Sequence, residues 1–235
     1  MKENNAVSTK LIYESQRIRP FHILSLLFVL IFILSNIAAA KMALVAEKNI
    51  FSGVLYFPLI YVINDIITEV YGFNASRKTI WAAAIINIAC AVLLYFAVLL
   101  PDAPDIENNL HFNKIFELSA QILIASITSF VLGEYVNSIV LAKLKLKFTG
   151  RFFAFRAIFS TLLACIVETL IFVTIVFSRT HSKESILEFS LTLIGIKIMY
   201  EILFIPFTSV IVRYLKDTEH IDFYDYKTKF NLFPF

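Results

Sequence analysis

Glycine and cysteine are scarce in this chain, at five and two of 235 residues, and charge is sparse at 17%. Five glycines leave little backbone freedom for a nucleotide-cradling loop, and no Gly-x-x-x-x-Gly-Lys stretch is present, so an ATP-driven pump would need an ATPase partner. Cys90 and Cys165 both sit inside apolar segments, which argues against a disulfide framework. The four histidines, His22, His111, His181 and His220, fall at the ends of apolar runs or outside them. There is neither a His-Glu-x-x-His zinc site nor a Gly-x-Ser-x-Gly elbow, so no metal, no cofactor and no enzymatic activity is expected. The first twenty residues are polar, and the apolar run after them is long enough to span a bilayer, so no cleavable signal peptide is read.

What remains is overwhelmingly apolar: 59% hydrophobic residues, 24 of them Phe, and a mean hydropathy of +0.77. Apolar runs of about 20 residues mark membrane-spanning helices, and this composition excludes an ordinary soluble domain. The spacing predicts spans near 21–40, 51–71 and 79–100, then within 115–142, 152–177 and 186–214. A basic turn at Arg77-Lys78 and an acidic, proline-punctuated loop at 101–105 separate neighbouring spans, with Trp81 as an interface anchor. The expected organisation is a polar N-terminal tail (1–20), a six-helix transmembrane domain (21–214) and a C-terminal tail (215–235).

Loop charge sets the orientation. The two tails and the second and fourth loops carry fourteen Lys and Arg residues, whereas the other three loops carry five. By the positive-inside rule both termini are cytoplasmic, giving an all-α membrane protein, a six-helix bundle with N-in/C-in topology. Basic loops of a membrane protein report topology, so no nucleic-acid partner is expected; the lipid bilayer is one, and a homo-oligomer is left open.

One stretch breaks the apolar rule: Tyr61-Val62-Ile63-Asn64-Asp65-Ile66-Ile67-Thr68-Glu69-Val70-Tyr71-Gly72. An acidic residue near the centre of a spanning helix costs about 2.5–3.5 kcal/mol on insertion scales. Asp65 and Glu69 are four apart and share a helix face with Tyr61, so that face must look into protein or a polar cavity. The other spans hold Asn36, Asn87, Gln121, Glu134, Asn137, Arg156, Glu168, Lys197 and Glu201. Five acids thus face two cations, and the unmatched carboxylates must protonate, meet a donor-rich ligand or reach water. An ionised carboxylate offers only acceptors and suits a guanine-like edge, with Tyr and Phe supplying flat stacking faces. Bland roles compete: Glu69 could pair with Arg77 or Lys78, Lys197 with Glu201, Arg156 with the interface or a neighbouring acid, and Asn87 and Gln121 could be interhelical glue.

Phe57-Pro58-Leu59-Ile60 followed by that stretch resembles the signature of the queuosine precursor transporter family, also called the vitamin uptake transporter family. Ser35-Asn36, Gly133-Glu134-Tyr135-Val136-Asn137-Ser138, Arg156-Ala157-Ile158-Phe159-Ser160-Thr161, Glu168-Thr169 and Lys197 continue the resemblance over about residues 20–215. It implies a bacterial inner-membrane carrier importing a 7-deazaguanine precursor of the tRNA nucleoside queuosine, such as the 7-cyano or 7-aminomethyl base, or queuine. Asn36, Asp65, Glu69, Glu134, Asn137, Arg156, Glu168 and Lys197 are then the substrate-binding candidates. The family's fifth span usually carries Gly-Gln or Gly-Glu and then Asp-Thr, where this chain has Ala164-Cys165 and Glu168-Thr169. The alternative is the substrate-binding subunit of an energy-coupling-factor vitamin importer.

Overall fold

The computed structural model describes residues 19–45, 48–103, 108–116, 120–177 and 183–233. The expectations for the tail's Lys2, Lys10 and Arg17, for Arg179 and His181, for Pro104-Asp105 and for the side chain of Gln121 lie outside them.

The described chain is 81% helical. Seven α-helices follow one another: α1 (Pro20–Ala38), α2 (Pro58–Tyr71), α3 (Phe73–Val98), α4 (Asn108–Phe116), α5 (Ala120–Lys147), α6 (Phe153–Phe177) and α7 (Lys183–Glu219). Six of them are long and apolar enough to cross a membrane, the second when the 3-10 turn Ser52–Leu55 is counted with α2. α4 is the exception, too short to span about 30 Å of hydrocarbon. Between α1 and α2 lies a feature the hydropathy hid, an antiparallel hairpin of β1 (Met42–Val45) and β2 (Lys48–Phe51), with Met42 opposite Phe51.

α2 is the central helix. Its window is 72% buried against 17–44% for the other five, and α1, α3, α5 and α7 all pack on it. The outer helices present Leu26, Leu93, Leu170 and Leu203 to the surroundings, each more than half exposed, which is the lipid-facing pattern of a bundle that buries its polar face. α6 packs on α5 and α7 and reaches α2 through long side chains, Arg156 and Glu168.

Three expected boundaries differ. Gly72 alone separates α2 from α3, at φ 84° and ψ 171°, and α3 resumes at once, so Arg77 and Lys78 are helical and form no turn. The left-handed φ requires glycine, and a Cβ there would also lie 2.3 Å from the Phe223 ring. α5 runs on to Lys147 and α7 to Glu219, each five residues beyond the expected end. Residues 220–233 then run back along the bundle end: Phe223 N–H donates to Val70 O, Asp225 accepts from Phe73 N–H, and Arg77 and Trp81 donate to the carbonyls of Asn231 and Leu232. Trp81 is thereby tied to this segment as well as sitting near the helix entrance. The start of α1 lies at the same end, where the Phe21 ring meets Tyr71. The hairpin marks the opposite end.

Candidate functional site

Polar side chains recur on successive turns of α2, at Tyr61, Asn64 and Asp65, then Thr68 and Glu69. At 1.5 Å per residue they extend about 12 Å along the axis. All five are buried to within 1%. Facing residues of α5, α6 and α7 complete three layers.

The layer nearest the hairpin is the floor of a cavity of about 410 Å³, within the range of small-molecule sites. α1 contributes Ser35 and Asn36, the entry to α2 contributes Phe51 and Phe57, α5 contributes Ser126 and Ser129, and α6 contributes Phe172. Glu168 and Lys197 bring charge to its base, Lys197 Nζ donating to Glu168 Oε2 at 2.5 Å. The ammonium also stands 4.8 Å from the Phe57 ring centroid, and Tyr61 Oη–H donates to the same carboxylate oxygen. Asn36 donates to Phe32 O at 3.1 Å and accepts from Ser126 Oγ at 2.9 Å, so its amide is oriented toward the cavity wall by α5. Gly133 lets α5 and α6 close up behind Glu168: a Cβ at this position would lie 2.8 Å from Glu168 Cβ and 3.4 Å from Tyr61 Oη.

The middle layer has no cation. Asn64 Nδ2 donates to Glu134 Oε2 at 2.5 Å and to Ser138 Oγ at 3.0 Å, and its Oδ1 accepts from Ser76 at 2.5 Å. Asn137 Nδ2 donates to Asp65 Oδ1 at 2.6 Å. Beyond these bonds, Asp65 Oδ2, Glu134 Oε1, Asn137 Oδ1, Thr161 Oγ1 and both oxygens of Glu201 are buried without a hydrogen-bond partner. Such atoms are rare in folded proteins and each calls for a ligand, a proton or water.

The third layer is an ionic cluster at the end where residues 220–233 dock. Glu69 receives Arg156 through two nitrogens, at 2.7 and 3.1 Å, and Lys216 at 2.8 Å. Arg156 is fixed in turn by the carbonyls of Gly150 and Arg151. Lys145, only 2% exposed, donates to Glu69 O, to Asp222 at 2.6 Å and to Phe223 O. Asp222 also meets Lys216 at 2.9 Å. Burial alone would raise the Asp222 carboxyl, but hydrogen bonds from Lys145 and Lys216 outweigh it and hold the group below the ordinary carboxylate range.

Of the eight candidates read from sequence, Asn36, Glu168 and Lys197 line the cavity, Asp65, Glu134 and Asn137 form the middle layer, and Glu69 and Arg156 anchor the ionic cluster. Asp65 faces the protein interior, as its cost in lipid demands, yet it lies below the cavity floor and does not line it. Two pairings are corrected. Glu69 binds Arg156 and Lys216, not Arg77 or Lys78, because Arg77 is turned to Asn74 and Asn231. Lys197 binds Glu168 across to α6, not Glu201 on its own helix. Residues missed are Asn64, Ser76 and Ser138, and the trio Lys145, Lys216 and Asp222. Asn64 adjoins Asp65 in the stretch already singled out, and that adjacency was the signal. Lys145 and Lys216 counted as loop charges, and nothing local says that they turn inward.

Six apolar helices around a solute-sized cavity, with acids stacked beneath it, define a multi-pass membrane protein built to handle a small solute. The chain belongs to the family described as "putative vitamin uptake transporter", whose model matches residues 52–211. That span contains the central helix and the five buried acids of the described spanning helices, while the buried Asp225 lies beyond it. No curated protein and no solved structure matches the chain.

Proposed function

We propose that this member of the family is a carrier for a flat, donor-rich purine analogue, a 7-deazaguanine precursor of queuosine, in the bacterial inner membrane. The observation that carries the reading is the 410 Å³ cavity ending on Glu168 and Lys197 between aromatic walls. A guanine-type edge presents a ring N–H beside an exocyclic amine, two donors that a carboxylate accepts, while its carbonyl accepts from an ammonium or an amide. Glu168 takes the first role, Lys197 and Asn36 the second, and Phe57 and Phe172 flank the ring. Placing both termini in the cytoplasm, as loop charge directs, makes the cavity outward-facing and puts the ionic cluster at the closed cytoplasmic end. Asp65, Glu134, Asn137, Glu69 and Arg156 then line the route the solute meets as that end opens.

The test is tRNA queuosine content in a cell unable to make the precursor, supplied with the cyano, aminomethyl or free base. Wild type restores the modification with at least one of them. Glu168→Ala and Asp65→Ala lose it while still reaching the membrane. Unchanged modification in both variants contradicts the reading. Stable co-purification with an ATPase module would move the chain to the energy-coupled importer instead.

A further inference from the structure

The middle layer lies below the cavity floor and does not line it. It holds three carboxylates, Asp65, Glu134 and Glu201, and every cation near it is committed elsewhere. Lys197 is spent on Glu168, and Arg156, Lys145 and Lys216 on the Glu69 cluster. Asp65 on α2 lies within electrostatic reach of Glu201 on α7, Glu134 on α5 and Glu69 one turn away. Glu134 feels Glu168, Lys197 and Glu201. Glu201 has Thr161 of α6 beside it. Asp65 is 0% and Glu201 1% exposed, so water does not screen them from each other.

Carboxylates within electrostatic reach of one another, in a medium of low dielectric, oppose each other's ionisation. The unpartnered atoms agree independently. Asp65 Oδ2, both Glu201 oxygens and Glu134 Oε1 lack partners, as do the amide oxygen of Asn137, which can only accept, and the Thr161 hydroxyl, which can donate or accept, all of them buried. The Asn137 oxygen needs a donor, and a protonated acid beside it would supply one.

We propose that Asp65 and Glu201 form a proton-binding pair through which solute movement is coupled to proton entry. The pair sits between the cavity floor and the ionic cluster, so a proton reaching it from the cavity side and leaving at the Glu69 end crosses the bundle along the solute's route. α7 carries both Glu201 and Lys216, with Pro206 between them. A proline removes one helix hydrogen bond and permits a bend there, so the charge state of Glu201 has a mechanical path to the cluster. This inference rests on the carrier reading above.

The test uses the full chain in proteoliposomes with labelled 7-cyano-7-deazaguanine and a pH-sensitive dye inside. An inward proton gradient drives wild-type accumulation beyond equilibrium, the lumen acidifies with uptake, and a protonophore abolishes the accumulation. Glu201→Gln still exchanges labelled for unlabelled base but does not concentrate it. Wild-type uptake indifferent to the proton gradient, or driven equally by sodium alone, overturns the proposal. So does full gradient-driven accumulation in Glu201→Gln. Infrared titration without any base separates the two readings. A carboxylic-acid C=O band present in wild type and weakened in Glu201→Gln supports the proton pair even if the cyano base is not taken up, which would count against the substrate alone. Absence of that band counts against the pair.

Discussion

Glu69 is the residue with the most to lose. It holds Arg156, fully buried, and Lys216, and its backbone carbonyl takes Lys145. Removing one partner of a buried pair leaves a desolvated charge, a loss of about 3–5 kcal/mol. Glu69→Ala is therefore expected to unfold well before wild type in a detergent melting series. Lys216→Ala, which removes a side chain 20% exposed, costs less than half as much. Equal losses would mean that the cluster is no more than a solvated surface network. Glu168 makes the complementary case, since Lys197→Met leaves that carboxylate with the Tyr61 hydroxyl as its donor. Affinity for the cyano base is expected to fall at least tenfold in equilibrium binding, with partial recovery in Lys197→Arg.

At the scale of elements, the approach of α5 to α6 depends on Gly133. Gly133→Ala places a methyl 2.8 Å from Glu168 Cβ, so the helices must part or Glu168 must move. Overpacking of this kind costs about 1–3 kcal/mol. A lowered melting temperature together with weakened base binding is expected, and a variant with unchanged binding would detach Glu168 from the site. The segment after α7 makes a second element-scale prediction. Asp222 has its carboxyl held below the ordinary value of about 3.9, so its contribution to stability is complete above that pH and is lost as pH falls through the depressed value. Asp222→Asn is expected to flatten the acid limb of the stability profile between about pH 4 and pH 2. An unaltered limb would show that other carboxylates set it.

Much of the whole bundle was legible in the sequence. Six apolar runs matched the six spanning helices, though not the short α4, and the energetic cost of Asp65 and Glu69 in lipid correctly turned their face inward. Partners were not legible, for a physical reason. Periodicity places two residues on one face of one helix, whereas Glu69–Arg156 and Glu168–Lys197 join residues 87 and 29 positions apart in the chain, a matter of how helices assemble. The same blindness let Lys145 and Lys216 pass as loop charges, and hid the hairpin Met42–Phe51, too short to disturb a hydropathy window. The cytoplasmic placement of the ionic cluster is a whole-molecule prediction. A cysteine placed at Lys227 should react with a membrane-impermeant thiol reagent only in inverted vesicles, and labelling in intact cells would reverse the topology.

Equilibrium binding of labelled 7-cyano-7-deazaguanine to the purified chain addresses the account most directly, with unlabelled deazaguanines and riboflavin as competitors. Saturable binding is expected, displaced by the deazaguanines and not by riboflavin, and weakened at least tenfold in Glu168→Ala but not in the lipid-facing Leu203→Ala. Binding that is absent, displaced by riboflavin, or indifferent to Glu168 would contradict the cavity as the place where this carrier grips its solute.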